Sequence, residues 1–182
     1  MLTMKIMKTY ISIIAGVLVF SASILGQAVA PTGSAPKDAS VNKTNPINRE
    51  KFDPTRDPRS DLDNAVAQAS KNGKHIILDV GGEWCGWCVF MDKFFVQNPE
   101  LAKLRDESFV WVKVNFSEEN KNTMFLSSFP ARAGYPHLYV LDATGKLLHS
   151  EDTSVLEKGK GYDLDKFMAF LRTWSPKRKP IS

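Results

Sequence analysis

Cysteine and histidine are scarce in this sequence, and their scarcity limits the chemistry that it can carry. The 182 residues include two cysteines and three histidines. No histidine, methionine or further cysteine stands at an obvious ligand spacing from the cysteine pair, which argues against a metal centre. Excess charge is also small, at +4 overall, and this predicts no nucleic acid partner. The basic cluster within residues 176–182 is interpreted as a solvated tail.

Acidic residues are absent before Asp38, and this absence sets the N-terminal segment apart. Lys5 and Lys8 precede an apolar run, and Ala28–Ala30 then offers small residues of the kind that a signal peptidase reads. The pattern predicts a secretory signal peptide over residues 1–30. An uncleaved anchor is the alternative, although the run is short for a span of about 20 apolar residues. A periplasmic or secreted protein without a stable membrane anchor is therefore expected.

Large apolar residues are rare between residues 31 and 56, where Pro, Ser, Thr, Asn and Lys predominate. This composition predicts a flexible linker rather than part of a core. The folded domain is therefore expected over residues 57–175. Within it, Ser60 is followed three residues later by Asp63, which predicts a capped start of the first helix.

Hydrophobic patterning within the domain alternates between the helical period and the strand period. Helices are predicted at residues 60–72, 85–96, 99–106 and 163–174, with 118–129 helical or irregular. Strands are predicted at residues 75–80, 109–116, 138–141 and 146–149, with Gly81 and Gly82 ending the first and 151–162 forming a surface loop. The first two strands need a crossover and are expected to be parallel, whereas the last two form a hairpin. The pattern predicts an α/β sandwich around a mixed sheet.

The two cysteines stand three positions apart, at Cys85 and Cys88, where a predicted strand gives way to a helix. A sulfur at a helix N-terminus faces free N–H groups and a positive dipole, which favour the thiolate. Cys85 is therefore predicted to attack disulfides. Cys88, one turn further on and more buried, is predicted to resolve the mixed disulfide. A disulfide that closes so short a loop would stabilise the fold little, so a structural role is the weaker interpretation.

Residues on both sides of the pair extend this pattern. Asp79 lies six residues before the first cysteine, Trp84 directly precedes it, and Lys113 stands in the next predicted strand. Gly134–Pro136 leads into the third strand. In these residues the sequence resembles the thioredoxin family, over about residues 60–174. The resemblance implies the thioredoxin fold, which is a three-layer αβα sandwich, and no cofactor.

The same resemblance implies roles for individual residues. Asp79 is expected to be a buried acid that takes the proton of Cys88, with Lys113 beside it as a tuning charge. The alternatives are a turn-forming aspartate and a solvent-facing lysine. Pro136 is expected to follow a cis peptide bond, which would leave the backbone of Tyr135 free to pair with an extended substrate. An ordinary trans proline is the alternative.

A set of residues around the sulfurs is predicted to contact the substrate, namely Trp84, Gly86, Trp87, Tyr135 and His137. The aromatic members would form an apolar rim that suits an unfolded or extended protein. Gly86 and Trp87 stand where thioredoxins usually have a proline, and His137 replaces a small polar residue. A protonated His137 near the sulfurs would favour the Cys85 thiolate. A core or surface histidine is the alternative.

The sequence therefore predicts a thiol–disulfide oxidoreductase that acts on protein disulfides or thiols, as a monomer with an unidentified redox partner. The matches at Asp79 and Lys113 favour a reductase, and an oxidase or isomerase of the same fold is the alternative. Two further hypotheses stay open. One is a module that binds Cu(I) through the two thiolates, and the other is a non-catalytic interaction domain on the same scaffold.

Overall fold

The structure is a computed structural model, and it describes residues 49–177. The predicted signal peptide and most of the predicted linker therefore lie outside the described residues, as does the end of the predicted basic tail. Within the described part of the chain, no helix has both the length and the apolar character that crossing a bilayer requires.

The described chain alternates helices and strands in the order that the sequence predicts. The helices are α1 Pro58–Asn72, α2 Gly86–Gln97, α3 Pro99–Ser108, α4 Thr123–Leu126 and α5 Leu164–Trp174, with a 3₁₀ helix at Thr153–Leu156. The strands are β1 His75–Gly81, β2 Phe109–Asn115, β3 His137–Leu141, β4 Leu147–Asp152, β5 Glu157–Lys158 and β6 Gly161–Tyr162. The four predicted strands correspond to β1–β4 with bounds that differ by a few residues.

Four of the strands form one mixed sheet in the order β2–β1–β3–β4. β1 and β2 are parallel, and α2 and α3 supply the crossover that a parallel pair requires. β3 is antiparallel to β1, and β4 returns beside β3 as a hairpin. The predictions of a parallel first pair and a terminal hairpin are confirmed.

Apolar side chains cover both faces of this sheet, which makes a three-layer αβα sandwich. On one face α1 and α4 pack against alternate strand residues such as Leu78 and Tyr139. On the other face α2, α3 and α5 pack against Ile77, Leu138 and Val140. Because successive side chains of a strand point to opposite faces, the central strands read as nearly continuous apolar runs. The predicted fold class is confirmed.

The first helix begins earlier than its sequence pattern predicts. α1 starts at Pro58, and Asp57 caps it by accepting a hydrogen bond from the N–H of Arg59. The predicted capping box of Ser60 and Asp63 is therefore wrong. Pro58 explains the difference, because its fixed φ and missing N–H suit the first turn of a helix.

Gly81 is the last residue of β1, so the first strand ends where the sequence predicts. The stretch that is predicted as a surface loop, in contrast, contains regular structure. Residues 151–162, predicted as a surface loop, complete β4, form the 3₁₀ helix and pair β5 with β6. Gly159 has a φ of +64° in the turn of this ribbon, so it makes a tight connection. Leu156 and Tyr162 anchor the ribbon in the core.

The predicted linker reaches into the domain. Residues 49–56 are described, and Phe52 among them is only 3% exposed. Burying a phenylalanine side chain contributes about 1.5–3 kcal/mol, and this gain requires an ordered backbone. The prediction of a flexible linker is therefore wrong for residues 49–56.

Candidate redox site

Both cysteines lie where β1 gives way to α2, and their sulfurs are joined in a disulfide. Cys85 is the N-cap of α2, and its sulfur accepts a hydrogen bond from the N–H of Cys88 at 3.1 Å. A sulfur in this position takes up part of the donor capacity that the helix start leaves free. Cys88 is fully buried and Cys85 nearly so. The prediction that Cys88 is the more buried of the two is confirmed.

Gly81 lets the end of β1 pass directly behind the disulfide. A Cβ on Gly81 would lie 2.5 Å from the Cys88 sulfur and 3.1 Å from the ring of Phe52. No side chain fits in that space unless the sulfur or the ring moves. The sequence shows this glycine as a strand breaker, and only the structure shows that it makes room for the redox pair.

Asp79 and Lys113 form a buried ion pair on the α2 side of the sheet. They stand opposite each other in the parallel register of β1 and β2. The Lys113 ammonium donates to Asp79 Oδ2 at 2.9 Å, and the indole N–H of Trp111 donates to the same oxygen at 3.1 Å. Asp79 is 0% exposed and Lys113 8%. The alternatives of a turn-forming Asp79 and a solvent-facing Lys113 are therefore wrong.

The ion pair continues outward to the surface through alternating charges. Lys113 also donates to Asp92 Oδ1 on α2 at 2.8 Å, and Arg49 donates to Asp92 Oδ2 at 3.0 Å. Arg49 then pairs with Glu83 beside the active-site turn. Two cations and three carboxylates thus alternate from the buried Asp79 to the rim.

Burial and charge act in opposite directions on this network. Burial alone would lower the pKa of Lys113, but the charges of Asp79 and Asp92 outweigh it and hold that pKa above its usual value. Burial raises the pKa of Asp92, and the neighbouring Lys113 and Arg49 offset this only in part. Lys113 is therefore a permanent positive charge at neutral pH.

An aromatic rim lies beside the disulfide. Trp84 is 58% exposed, and its indole N–H donates to the carbonyl of Phe116 at 2.6 Å. Tyr135 packs edge-on against Trp84, with ring centroids 5.6 Å apart, and stacks on Phe116 at 4.8 Å. Gly82 is required below the indole, because a Cβ there would lie 2.4 Å from its nitrogen. Trp84 and Tyr135 are thus brought together as the sequence predicts.

The Tyr135–Pro136 peptide bond is cis, as the resemblance to thioredoxins implies. Pro136 is buried, and its carbonyl accepts a hydrogen bond from the hydroxyl of Thr153 at 2.7 Å. Thr153 lies in the stretch that was predicted as a surface loop, so sequence patterning missed its contribution. No pattern in the sequence indicates that its hydroxyl reaches Pro136.

Trp87 and Gly86 occupy different surroundings from Trp84. Trp87 is half-buried and packs edge-on against the rings of Phe90 and Tyr162, at 5.7 and 5.4 Å. The β5–β6 ribbon therefore covers part of Trp87, which reduces the surface that it can offer to a substrate. Gly86 is exposed, and a Cβ there would meet nothing within 4 Å.

His137 does not act as the charge near the sulfurs that was predicted. Its side chain is buried, packs on the ring of Tyr139 at 4.7 Å between centroids, and has its Nε2 2.8 Å from the hydroxyl of Ser150. Burial lowers its pKa to about 4, so the ring is neutral at pH 7. The alternative of a core histidine is the one that the structure supports.

Metal ligands do not gather in the described part of the chain. No group of three or more His, Cys, Asp or Glu side chains is arranged there to hold an ion. The hypothesis of Cu(I) binding consequently depends on the two sulfurs alone.

The chain matches known proteins over parts of its length. Residues 57–143 match a protein family described as thioredoxin-like. Over 54 residues the chain is 43% identical to human spermatogenesis-associated protein 20, a stretch that covers 30% of this chain. That stretch spans only 7% of the length of the human protein.

Solved structures share the architecture. A disulphide isomerase from Xylella fastidiosa Temecula1 has a TM-score of 0.59 at 21% identity, covering 67% of this chain and 94% of that chain. The C-terminal domain of Neisseria meningitidis DsbD in the oxidised form has a TM-score of 0.50 at 19% identity, covering 69% of this chain and 99% of that chain. Similarity at this level of identity establishes a common fold. Together with the match of residues 57–143 to the thioredoxin-like family, it shows that this chain has the thioredoxin fold.

Proposed function

We propose that this protein is a thiol–disulfide oxidoreductase that reduces disulfides in other proteins. The observation that carries the proposal is the Cys85–Cys88 disulfide at the start of α2, with the Asp79–Lys113 ion pair buried on the same side of the sheet. A disulfide in a loop this short contributes little to stability, which leaves redox chemistry as its use. A buried carboxylate with a fixed cation is a group suited to moving a proton.

The first step uses the reduced pair. The Cys85 thiolate attacks one sulfur of a substrate disulfide, the substrate S–S bond breaks, and a mixed disulfide forms. The departing substrate sulfur leaves as a thiolate and takes a proton from solvent. The free N–H groups at the start of α2 favour the attacking thiolate.

The second step returns the enzyme to the disulfide form. Cys88 gives its proton to Asp79, and its thiolate attacks the Cys85 sulfur of the mixed disulfide. The bond between Cys85 and the substrate breaks, and the second substrate sulfur leaves as a thiolate. It takes a proton from solvent, to which Asp79 returns the proton of Cys88. Two electrons have then passed from the cysteine pair to the substrate, and a dithiol partner must reduce the pair before the next cycle.

The exposed rim supports a protein as the substrate. Trp84 and Tyr135 present aromatic surface directly beside the sulfurs, and such surface suits an extended apolar segment better than a small polar disulfide. We further propose that the protein acts outside the cytosol, as its N-terminal residues predict. It is also proposed to act as a monomer. In an oxidising compartment a reductase depends on a partner that delivers electrons.

The reduction potential of the Cys85–Cys88 pair tests the direction of electron flow. Equilibration with glutathione buffers gives this potential, and a value near the thioredoxin range of about −270 mV is expected for a reductase. A value near about −120 mV would identify an oxidase instead.

Turnover of insulin disulfides with a dithiol donor tests the activity itself. Wild-type protein is expected to reduce insulin, and the variant Cys85→Ser is expected to be inactive. If the two proteins behave alike in both directions of exchange, the proposed function is wrong. Titration of the reduced protein with Cu(I) separates the alternative, because a metal module would form a tight one-to-one complex.

A further inference from the structure

The segment before the matched family region is fastened to the redox site. Arg49 bonds to Glu83 at the active-site turn and to Asp92 on α2, at 2.9 and 3.0 Å. The backbone N–H of Phe52 donates to the same Glu83 carboxylate at 3.0 Å. Four hydrogen bonds, two of them between Arg49 and Glu83, thus tie residues 49–52 to two separate elements of the site.

The ring of Phe52 contacts both the disulfide and one of the buried charges. It packs in one cluster with Cys85 and Cys88. The Lys113 ammonium stands over the same ring, 4.1 Å from its centroid. An ammonium over an aromatic face is attracted by the ring quadrupole, and the attraction is larger when water is excluded.

We propose that residues 49–52 form a strap that closes the buried side of the redox pair. In this strap Arg49 holds the segment to Glu83 and Asp92. Phe52 is a positioning residue that keeps water from Cys88 and holds Lys113 against Asp79. The contribution of the strap to catalysis rests on the proposed function. The protection of Cys88 by the strap is a separate property of the fold, and it can be measured without turnover.

Loss of the ring has two physical consequences. Water reaches Cys88, so the thiol becomes accessible and its thiolate is less penalised by burial. Lys113 also loses one side of its enclosure and is less firmly held at Asp79. Loss of Arg49 affects Cys88 indirectly. It frees the strap at Glu83 and removes one of the two cations that pair with Asp92.

Several charged or titratable groups belong to the charge network that Lys113 and Arg49 join or interact with it, and each must stay constant in a test. They are Asp79 on β1, Lys113 on β2, Asp92 on α2, Arg49 and Glu83 at the rim, and the buried hydroxyl of Tyr162 on β6. Replacing Phe52 changes none of these charges. Replacing Arg49 changes one, and Arg49→Lys restores it.

The experiment measures alkylation of Cys88 by iodoacetamide in full-length Cys85→Ser protein, over a range of pH. Phe52→Ala is expected to raise the alkylation rate about tenfold or more and to lower the pH at which the rate is half-maximal. Arg49→Gln is expected to act in the same direction by about threefold, and Arg49→Lys to recover part of that change.

Arg56→Gln is the matched control. Arg56 lies just after the strap and pairs with Glu50 and Asp61. Because the side chains of Arg56 and Glu50 are both about half exposed, their ion pair contributes little to holding the strap. Its replacement is expected to leave the rate and its pH midpoint unchanged. If Phe52→Ala does not fold, Phe52→Leu and Arg49→Gln decide the question.

Two results would contradict the proposed strap. In the first, folded Phe52 and Arg49 variants have the same alkylation rate and pH midpoint as the Cys85→Ser parent. In the second, Arg56→Gln raises the alkylation rate as much as they do. Insulin turnover is measured separately in proteins that retain Cys85. If the wild-type protein does not reduce insulin but the Phe52 and Arg49 variants change the alkylation of Cys88, the proposed function is wrong and the proposal of the strap stands.

Discussion

Lys113 stands directly opposite Asp79 across two parallel strands, and its ammonium is shared between Asp79 and Asp92 at 2.9 and 2.8 Å. The two carboxylates come from different elements, β1 and α2, so a single cation joins the sheet to the helix that carries the redox pair. Removing one member of a buried ion pair typically costs about 3–5 kcal/mol, because it leaves the other charge uncompensated. Here Asp92 remains as a second counterion if Asp79 is neutralised.

Asp79→Asn is expected to slow turnover while the protein stays folded. The amide cannot take the proton of Cys88, so the second step should slow by about 10²-fold. Rapid-quench trapping is expected to show accumulated mixed disulfide on Cys85. Asp63→Asn, an exposed acid on α1, should leave turnover unchanged. Equal rates for Asp79→Asn and wild type would remove Asp79 from the mechanism.

Gly81→Ala is expected to destabilise the oxidised protein. Its added Cβ would lie 2.5 Å from the Cys88 sulfur, and overpacking of this kind costs about 1–3 kcal/mol. Gly86→Ala is the matched control, since its Cβ meets nothing within 4 Å and should change stability by less than about 1 kcal/mol. Urea denaturation of the two oxidised proteins gives the comparison, and similar midpoints would contradict the close approach of Gly81.

Trp84→Ala is expected to weaken the use of protein substrates more than that of small ones. Trp84 is largely exposed, so its loss should hardly affect folding, but an aromatic contact beside the sulfurs is worth about 1–2 kcal/mol of binding. Insulin reduction should show a KM raised about fivefold or more, whereas exchange with oxidised glutathione should change little. Leu148→Ala, an exposed apolar residue on β4, should alter neither. Equal losses on both substrates would place Trp84 in the chemistry instead of recognition.

His137 is expected to make the protein less stable in mild acid. Its pKa is lowered by burial to about 4 in the folded protein, against about 6.5 in the unfolded chain. Between these values only the unfolded chain binds the proton, so stability falls as pH drops from about 6.5 to 4, by up to about 3 kcal/mol. Urea denaturation of His137→Gln should show a flatter pH dependence over this window. An identical pH dependence in both proteins would contradict the lowered pKa.

The redox pair at the centre of the site can be predicted from the sequence, because the two cysteines are only three residues apart. The three-residue interval from Cys85 to Cys88 fixes both sulfurs within one helical turn. Helical geometry alone determines that distance. The pairing of Asp79 with Lys113 depends instead on the register between β1 and β2, and it is implied in the sequence only by the resemblance to thioredoxins.

Other parts of the site depend on contacts that no local pattern reveals. Phe52 stands in a stretch of polar and turn-forming residues, and only the space behind Gly81 gives its ring a place in the core. Thr153 follows a strand without any signal that its hydroxyl reaches Pro136. His137 has the right position in the sequence for a role near the sulfurs, yet its burial leaves it uncharged. Tertiary packing decides each of these cases.

Trp111 gives the protein an optical reporter at the base of the site. Its indole N–H is bonded to the same Asp79 oxygen that accepts from Lys113. The emission of an indole depends on the charges and hydrogen bonds around it, so changes at Asp79 should alter the fluorescence of Trp111. Proton movement at the buried carboxylate could therefore be followed in real time, without an added dye, in a protein whose other tryptophans are changed to phenylalanine.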